Sequence, residues 1–292
     1  MEEVVGAELY LTESTKPPVR YPIVTSINIF SALGATAALG ITSFVIAYGF
    51  DWRLAFWAGA GIALIGSIAR TVLRETPDFV NAKRKLNDTL NELGVDSNTV
   101  KKSHIWNEKV NKKTTLAYFL VQCARPVCFY FIYIHCNSLL KTTFNYSAEQ
   151  IINHVFLISI VDLFGVILLT YLCYRIYPLK IIKVKMAIFF IFILFLPYLM
   201  SNLNTPFELF FIQSFVCLFC VDTAPAAAIF YIYFPIFKRF TYASFLYALS
   251  RALVYIITSF GLVALTYYFN NWGLLIIMLP MVLGFGFGIF HF

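Results

Sequence analysis

The sequence predicts an all-α, polytopic membrane helix bundle, and three observations carry that expectation. Of 292 residues, 60% are hydrophobic and only 13% charged, with a mean hydropathy of +0.77, whereas a soluble domain carries about 25% charged residues. Apolar runs recur along the chain at the roughly 20-residue length that a helix needs to cross about 30 Å of hydrocarbon with its backbone satisfied internally. Finally, lysines and arginines concentrate in alternate connections between those runs. A secreted enzyme, a nucleic-acid module and a disordered regulator are excluded by the number and length of the runs.

Taken in order, the runs cover residues 23–48, 53–72, 116–138, 151–174, 186–200, 207–234, 243–268 and 274–290, giving eight expected spans. The fifth is short, and Lys183 and Lys185 are expected to complete it by snorkelling to the interface. None shows the strict alternation of a barrel strand. Eighteen Lys and Arg residues fall in one set of connections and two, Arg53 and Lys141, in the other. Because basic residues mark the cytoplasmic side, both termini and the large central connection are expected there. The net charge of +7 is thus a topology signal and an attraction to anionic lipid, with no nucleic-acid partner implied.

The six cysteines all lie in or beside spans, which argues against a disulfide framework, and none has metal-ligand neighbours at zinc spacing. Cys217 and Cys220 form a CxxC that reads as packing residues of a continuous helix. The first 22 residues are too polar for a secretion signal. No cofactor is implied.

Residues 75–113 break the pattern with eight basic and six acidic side chains. Thr76-Pro77-Asp78 reads as a helix start, and Phe79, Leu86, Leu90 and Leu93 recur at helical spacing, so an amphipathic surface helix is expected. The chain therefore divides into 1–74, a remnant of an N-terminal bundle; 75–113, a cytoplasmic linker; and 114–292, a six-helix bundle. Six spans after a basic linker are what one half of a 12-span secondary transporter looks like.

The motifs carry a family resemblance. Glu3-Val4-Val5-Gly6-Ala7-Glu8-Leu9-Tyr10-Leu11-Thr12-Glu13, with Pro18 and Arg20, resembles the fourth span and following loop of the metabolite:proton symporter branch of the major facilitator superfamily, which includes proline/betaine transporters. Trp52-Arg53, Phe56 and Arg74-Glu75-Thr76-Pro77-Asp78-Phe79 resemble its sixth span and exit. Tyr130 with Asn145-Tyr146-Ser147 resembles its seventh span and the turn after it, and Phe234-Pro235, Arg239 and Thr241 the loop after its tenth. The resemblance implies that the eight spans are the fifth to twelfth, with a remnant of the fourth, so that the chain is N-terminally truncated. It departs from the family after the eighth span, where Tyr174 and Tyr177 replace an Asp and a turn Gly, and at Ile232, where the family has an acid.

Ionisable groups inside spans are costly and usually mark a substrate or proton path. Arg125 is a candidate partner for a substrate carboxylate, and Tyr130 or Tyr133 for a quaternary ammonium by cation–π attraction. Asp162 and Asp222 are candidate proton-coupling acids, and Glu3 matches the acid of the family's fourth span. Simpler roles compete: Arg125 snorkelling, Asp222 satisfying backbone groups freed by Pro225, Asp162 in an interhelical pair, His135 at an interface. Gly284, Gly286 and Gly288 read as helix packing. The resemblance implies a proton-coupled symporter for a small zwitterionic solute; the alternative is a non-transporting remnant or accessory half that complements a separate N-terminal fragment. A membrane-embedded enzyme is not expected, since no HExxH and no nucleophile cluster appears.

Overall fold

The computed structural model describes residues 2–51, 53–71, 84 and 109–292, and among these every regular element is helical. The helices are α1 (Glu2–Ser14), α2 (Arg20–Ala47), α3 (Arg53–Thr71), α4 (Lys112–Thr142), α5 (Ala148–Arg175), α6 (Pro178–Ser201), α7 (Pro206–Phe219), α8 (Ala227–Ile232), α9 (Ile236–Phe269) and α10 (Trp272–His291). Among them α2, α4, α5, α9 and α10 are long and apolar enough to cross a membrane. Each expected apolar run falls on a helix or on a broken helix pair. The amphipathic surface helix expected after Thr76 lies, but for residue 84, outside the described residues.

Local chemistry sets the helix ends. Ser147 Oγ accepts from the Gln150 N–H at 3.3 Å while the Ser147 N–H donates to Gln150 Oε1 at 2.9 Å, a reciprocal cap on α5. Thr205 and Glu208 repeat the device on α7, with Pro206 in its first turn. Pro178 likewise opens α6, which starts eight residues before the apolar run that announced it.

Two helices are interrupted, and each interruption frees backbone groups that other helices satisfy. In α4, Pro126 has no N–H to give to the carbonyl one turn back, that of Gln122. Arg251 of α9 donates to that oxygen instead, at 2.9 Å. Residues Phe131–His135 form a π-helical turn, and within it the Ile132 carbonyl accepts from Gln213 Nε2 of α7 at 2.9 Å. The run expected as one span over 207–234 is also broken: α7 ends at Phe219, α8 begins at Ala227, and the extended linker holds Asp222 and Pro225. Cys220 therefore caps a helix end rather than sitting in a continuous helix.

The most extensive helix pair is α2 along α5. Thr36 Oγ1 donates to the Ser159 carbonyl at 3.2 Å, and Ser43 Oγ bonds Asn153 Oδ1. On the opposite side α10 packs against α4, where Gly288 lets the Ala117 carbonyl approach so closely that a Cβ would meet its oxygen at 2.6 Å. Tyr118, Phe131, Phe189, Phe230 and Phe285 fill the core. Phe56, Trp57, Phe260 and Tyr267 stand outward and exposed, as side chains do on a bundle whose solvent is hydrocarbon.

Candidate functional site

A cavity of about 660 Å³ lies between α2 and the helices α4, α5, α6 and α7. Its walls are largely apolar, with Asn28 and Ser31 from α2, Phe129 and Tyr133 from α4, and Val155 and Ser159 from α5. The charged side chains in the wall are Arg125, Asp162, Lys180, Lys185 and Asp222.

Asp222 is the centre of their arrangement. The break between α7 and α8 carries it inward, and its side chain is only 8% exposed. Arg125 Nη1 of α4 lies 2.8 Å from its Oδ2, and Lys185 Nζ of α6 lies 3.8 Å from its Oδ1. Oδ1 has no hydrogen-bond partner, so the lysine compensates it by charge alone. Arg125 is 45% exposed on the cavity side, leaving guanidinium N–H groups to face a ligand while Nη1 is held by Asp222. Two cations around one carboxylate leave the cluster net positive.

Asp162 lines the same cavity from α5 and forms no ion pair among the described residues. The Cys217 thiol is a polar neighbour of its carboxylate, which acts electrostatically on Arg125. The cavity thus has a positive pole at Arg125 and Lys185, a negative one at Asp162, and aromatic surface from Phe129 and Tyr133, whose rings lie 4.9 Å apart.

Placement of the expected residues is uneven. Arg125, Tyr133, Asp162 and Asp222 converge on the cavity. Tyr130 does not line it and packs, half-buried, against the core. The Glu3 side chain lies outside the described residues. Lys185, expected to snorkel, turns inward to Asp222 and is 13% exposed, whereas Lys183 stays outside, 5.1 Å above the Phe290 ring. Sequence reasoning missed Lys185 because charge next to an apolar run looks the same whether it points to lipid head groups or inward. Its spacing of two from Lys183, which puts the two side chains on different helix faces, was the available signal.

Three further polar clusters lie outside the cavity lining. His154 and Gln213 meet at 2.6 Å, the latter fully buried. Beyond α4, the Arg251 guanidinium also reaches Gln122 Oε1 at 3.1 Å and lies 3.8 Å over the Tyr247 ring. Gln122 Nε2 in turn donates to the Tyr118 hydroxyl at 2.8 Å. Arg239 of α9 pairs with Glu13 of α1 at 3.0 Å, in a part-buried contact.

A polytopic helical bundle with a charged, partly apolar cavity between helix groups defines the class of membrane transport proteins. The chain belongs to the Major Facilitator Superfamily, whose family model matches residues 6–230. It is thus a multi-pass membrane protein of a family that carries small solutes. No curated protein matches it.

Proposed function

We propose that this chain acts as a proton-coupled symporter for a small zwitterionic solute of the proline/betaine type, its helices from α2 onward corresponding to the fifth to twelfth spans of the fold and α1 to part of the fourth. The observation that carries the proposal is the cavity with opposite poles: Arg125, held by Asp222, faces the same space as the unpaired Asp162. A carboxylate on the solute would meet Arg125 as a charge-assisted partner. Its ammonium would meet Asp162 and the Tyr133 face. The cavity's volume falls within the roughly 300–1,000 Å³ of small-molecule sites. Asp162 is the carboxylate left for that ammonium, because it has no ion pair among the described residues, whereas Asp222 is committed to two cations. Tyr130 and Glu3 have no support from the cavity.

By the same reading α2 and the helices from α4 onward belong to different bundles that rock about the cavity and expose it alternately. Placement in a bacterial inner membrane rests on the family resemblance, and the cytoplasmic side of both termini on the basic bias of the connections.

Uptake of labelled proline or betaine into proteoliposomes under a proton gradient tests the proposal. Gradient-dependent uptake that Asp162→Asn abolishes supports it; absence of uptake by the unaltered chain, or uptake indifferent to Asp162→Asn, removes it. One observation favours the alternative of an accessory half. On α3 a Cβ added at Gly59, Gly61 or Gly66 would meet nothing, so the small-residue face of this helix has no packing neighbour among the described residues. Uptake that appears only on co-expression with a fragment supplying the earlier spans would establish that reading.

A further inference from the structure

The cavity leaves one buried carboxylate unused. Glu8 lies midway along α1, 7% exposed, and the Tyr231 hydroxyl of α8 donates to its Oε2 at 2.5 Å. No lysine, arginine or histidine nitrogen lies within 4.0 Å of it among the described residues.

The groups that face Glu8 are few. From α8 comes Tyr231, and behind it from α4 comes Tyr118, whose ring centroid lies 6.1 Å from that of Tyr231. From α9 comes Arg251, committed to Gln122 and to the Tyr247 ring, while Arg239 is committed to Glu13. Arg125 and Asp222 act on it from farther away. On α2 the titratable residues are Arg20 and Tyr21 in the first turn, and Arg20 Nε donates to the Thr15 carbonyl at 2.7 Å. An ionised carboxylate in this position has one neutral hydroxyl as its partner, whereas buried charges are ordinarily paired. A neutral carboxyl fits the contact as it stands: one oxygen accepts from Tyr231 and the acid proton occupies the other.

We propose that Glu8 is a proton-binding site, occupied while α1 is docked on α8 and α9 and emptied when that contact opens. The docked contact then binds one proton that the open one does not, so protonation stabilises docking by linkage. Buried carboxyl, tyrosine pair, glutamine and arginine form a line of polar groups from α1 through α8 and α4 to α9. Docking of α1 is thereby tied to the backbone gap at Pro126, which the same Arg251 fills. That this proton travels with solute rests on the symport reading; the proton site itself does not.

Infrared difference spectra of the full chain in lipid nanodiscs, recorded across pH, test the site. The expected result is a carbonyl stretch of a protonated carboxylic acid that Glu8→Gln removes and Tyr231→Phe shifts. Spectra in which neither variant changes any carboxylic band overturn the proposal. Should Glu8→Gln fail to fold, Tyr231→Phe decides alone: a shifted band supports the site, an unmoved one removes it. In proteoliposomes, loss of gradient-driven accumulation in Glu8→Gln adds the coupling role. No uptake by the unaltered chain would end the symport reading and leave the infrared result standing.

Discussion

Arg125 and Asp222, 97 positions apart, meet at 2.8 Å in the wall of the cavity. The contact depends on two breaks in helical regularity. Pro126 interrupts α4 next to the arginine, and the gap between α7 and α8 carries the aspartate. Removing the carboxylate with Asp222→Ala strands Arg125 and the nearly buried Lys185 together. Breaking a buried pair costs about 3–5 kcal/mol, and the exposure of Arg125 brings the expected loss toward about 2–3 kcal/mol. Five of the six free cysteines are buried, so a bulky thiol-reactive dye reads unfolding as a rise above its signal on the folded chain. Adding Lys185→Met to Asp222→Ala should recover part of the loss by deleting one stranded charge. Equal melting of the single variant and the unaltered chain would show that the pair contributes nothing to the fold.

Gln213 closes a different gap. Its Nε2 donates to Ile132 O in the π-helical turn, and its Oε1 accepts from His154 Nε2. Gln213→Leu leaves both without their partner in a fully buried place, at a cost of about 1–3 kcal/mol per unsatisfied group. The thermal midpoint should fall clearly, and more than for a leucine placed at the exposed Thr142. A smaller fall would mean that the π-helical turn relaxes to an α-helix when the amide is gone.

The helices were legible because hydropathy reports burial in lipid without reference to tertiary contacts. The expected runs 151–174 and 243–268 lie inside α5 and α9, which extend a few residues beyond them at each end. The breaks were not legible. A proline in an apolar run predicts a kink, but the 220–226 linker is held by ion pairs whose partners come from α4 and α6. Arg125, Tyr133, Asp162 and Asp222 could be named because charge and aromaticity inside a span are rare or useful. Tyr130 could not be told from Tyr133, three residues on, since which face of α4 meets the cavity is set by its π-helical turn. Glu8 was visible only as part of a motif; its partner Tyr231 is 223 positions away.

Glycines of α10 and α3 differ in what surrounds them. At Gly288 an added Cβ would meet the Ala117 carbonyl oxygen at 2.6 Å, while at Gly61 it would meet nothing. Gly288→Ala should push α10 from α4 and cost about 1–3 kcal/mol, the usual price of overpacking. Gly61→Ala should melt at or slightly above the unaltered chain, since alanine favours the helix. Reversal of that order in the dye assay would contradict the α4 and α10 packing.

Topology has an independent check. The basic bias of the connections predicts a cytoplasmic central connection. A Ser97→Cys chain in intact cells should resist a membrane-impermeant maleimide and react only after permeabilisation. Labelling of intact cells would invert the topology.

Cys217 reports on the cavity itself. It lines the space together with Cys128 and Cys220, and its thiol neighbours Asp162. Cys136 is fully buried and does not line the cavity. A small methanethiosulfonate reagent should therefore modify Cys217 before Cys136, as followed by mass spectrometry of peptides. If a zwitterionic solute places its ammonium against Asp162, saturating betaine covers the neighbouring sulfur. Modification of Cys217 should then slow, while the rate at Cys123, which does not line the cavity, stays the same. Asp162→Asn should abolish the protection without abolishing the reaction, because the thiol stays in the wall when the charge is removed. Protection that persists in Asp162→Asn would place the solute elsewhere in the cavity, and no protection in the unaltered chain would leave Asp162 without a bound cation.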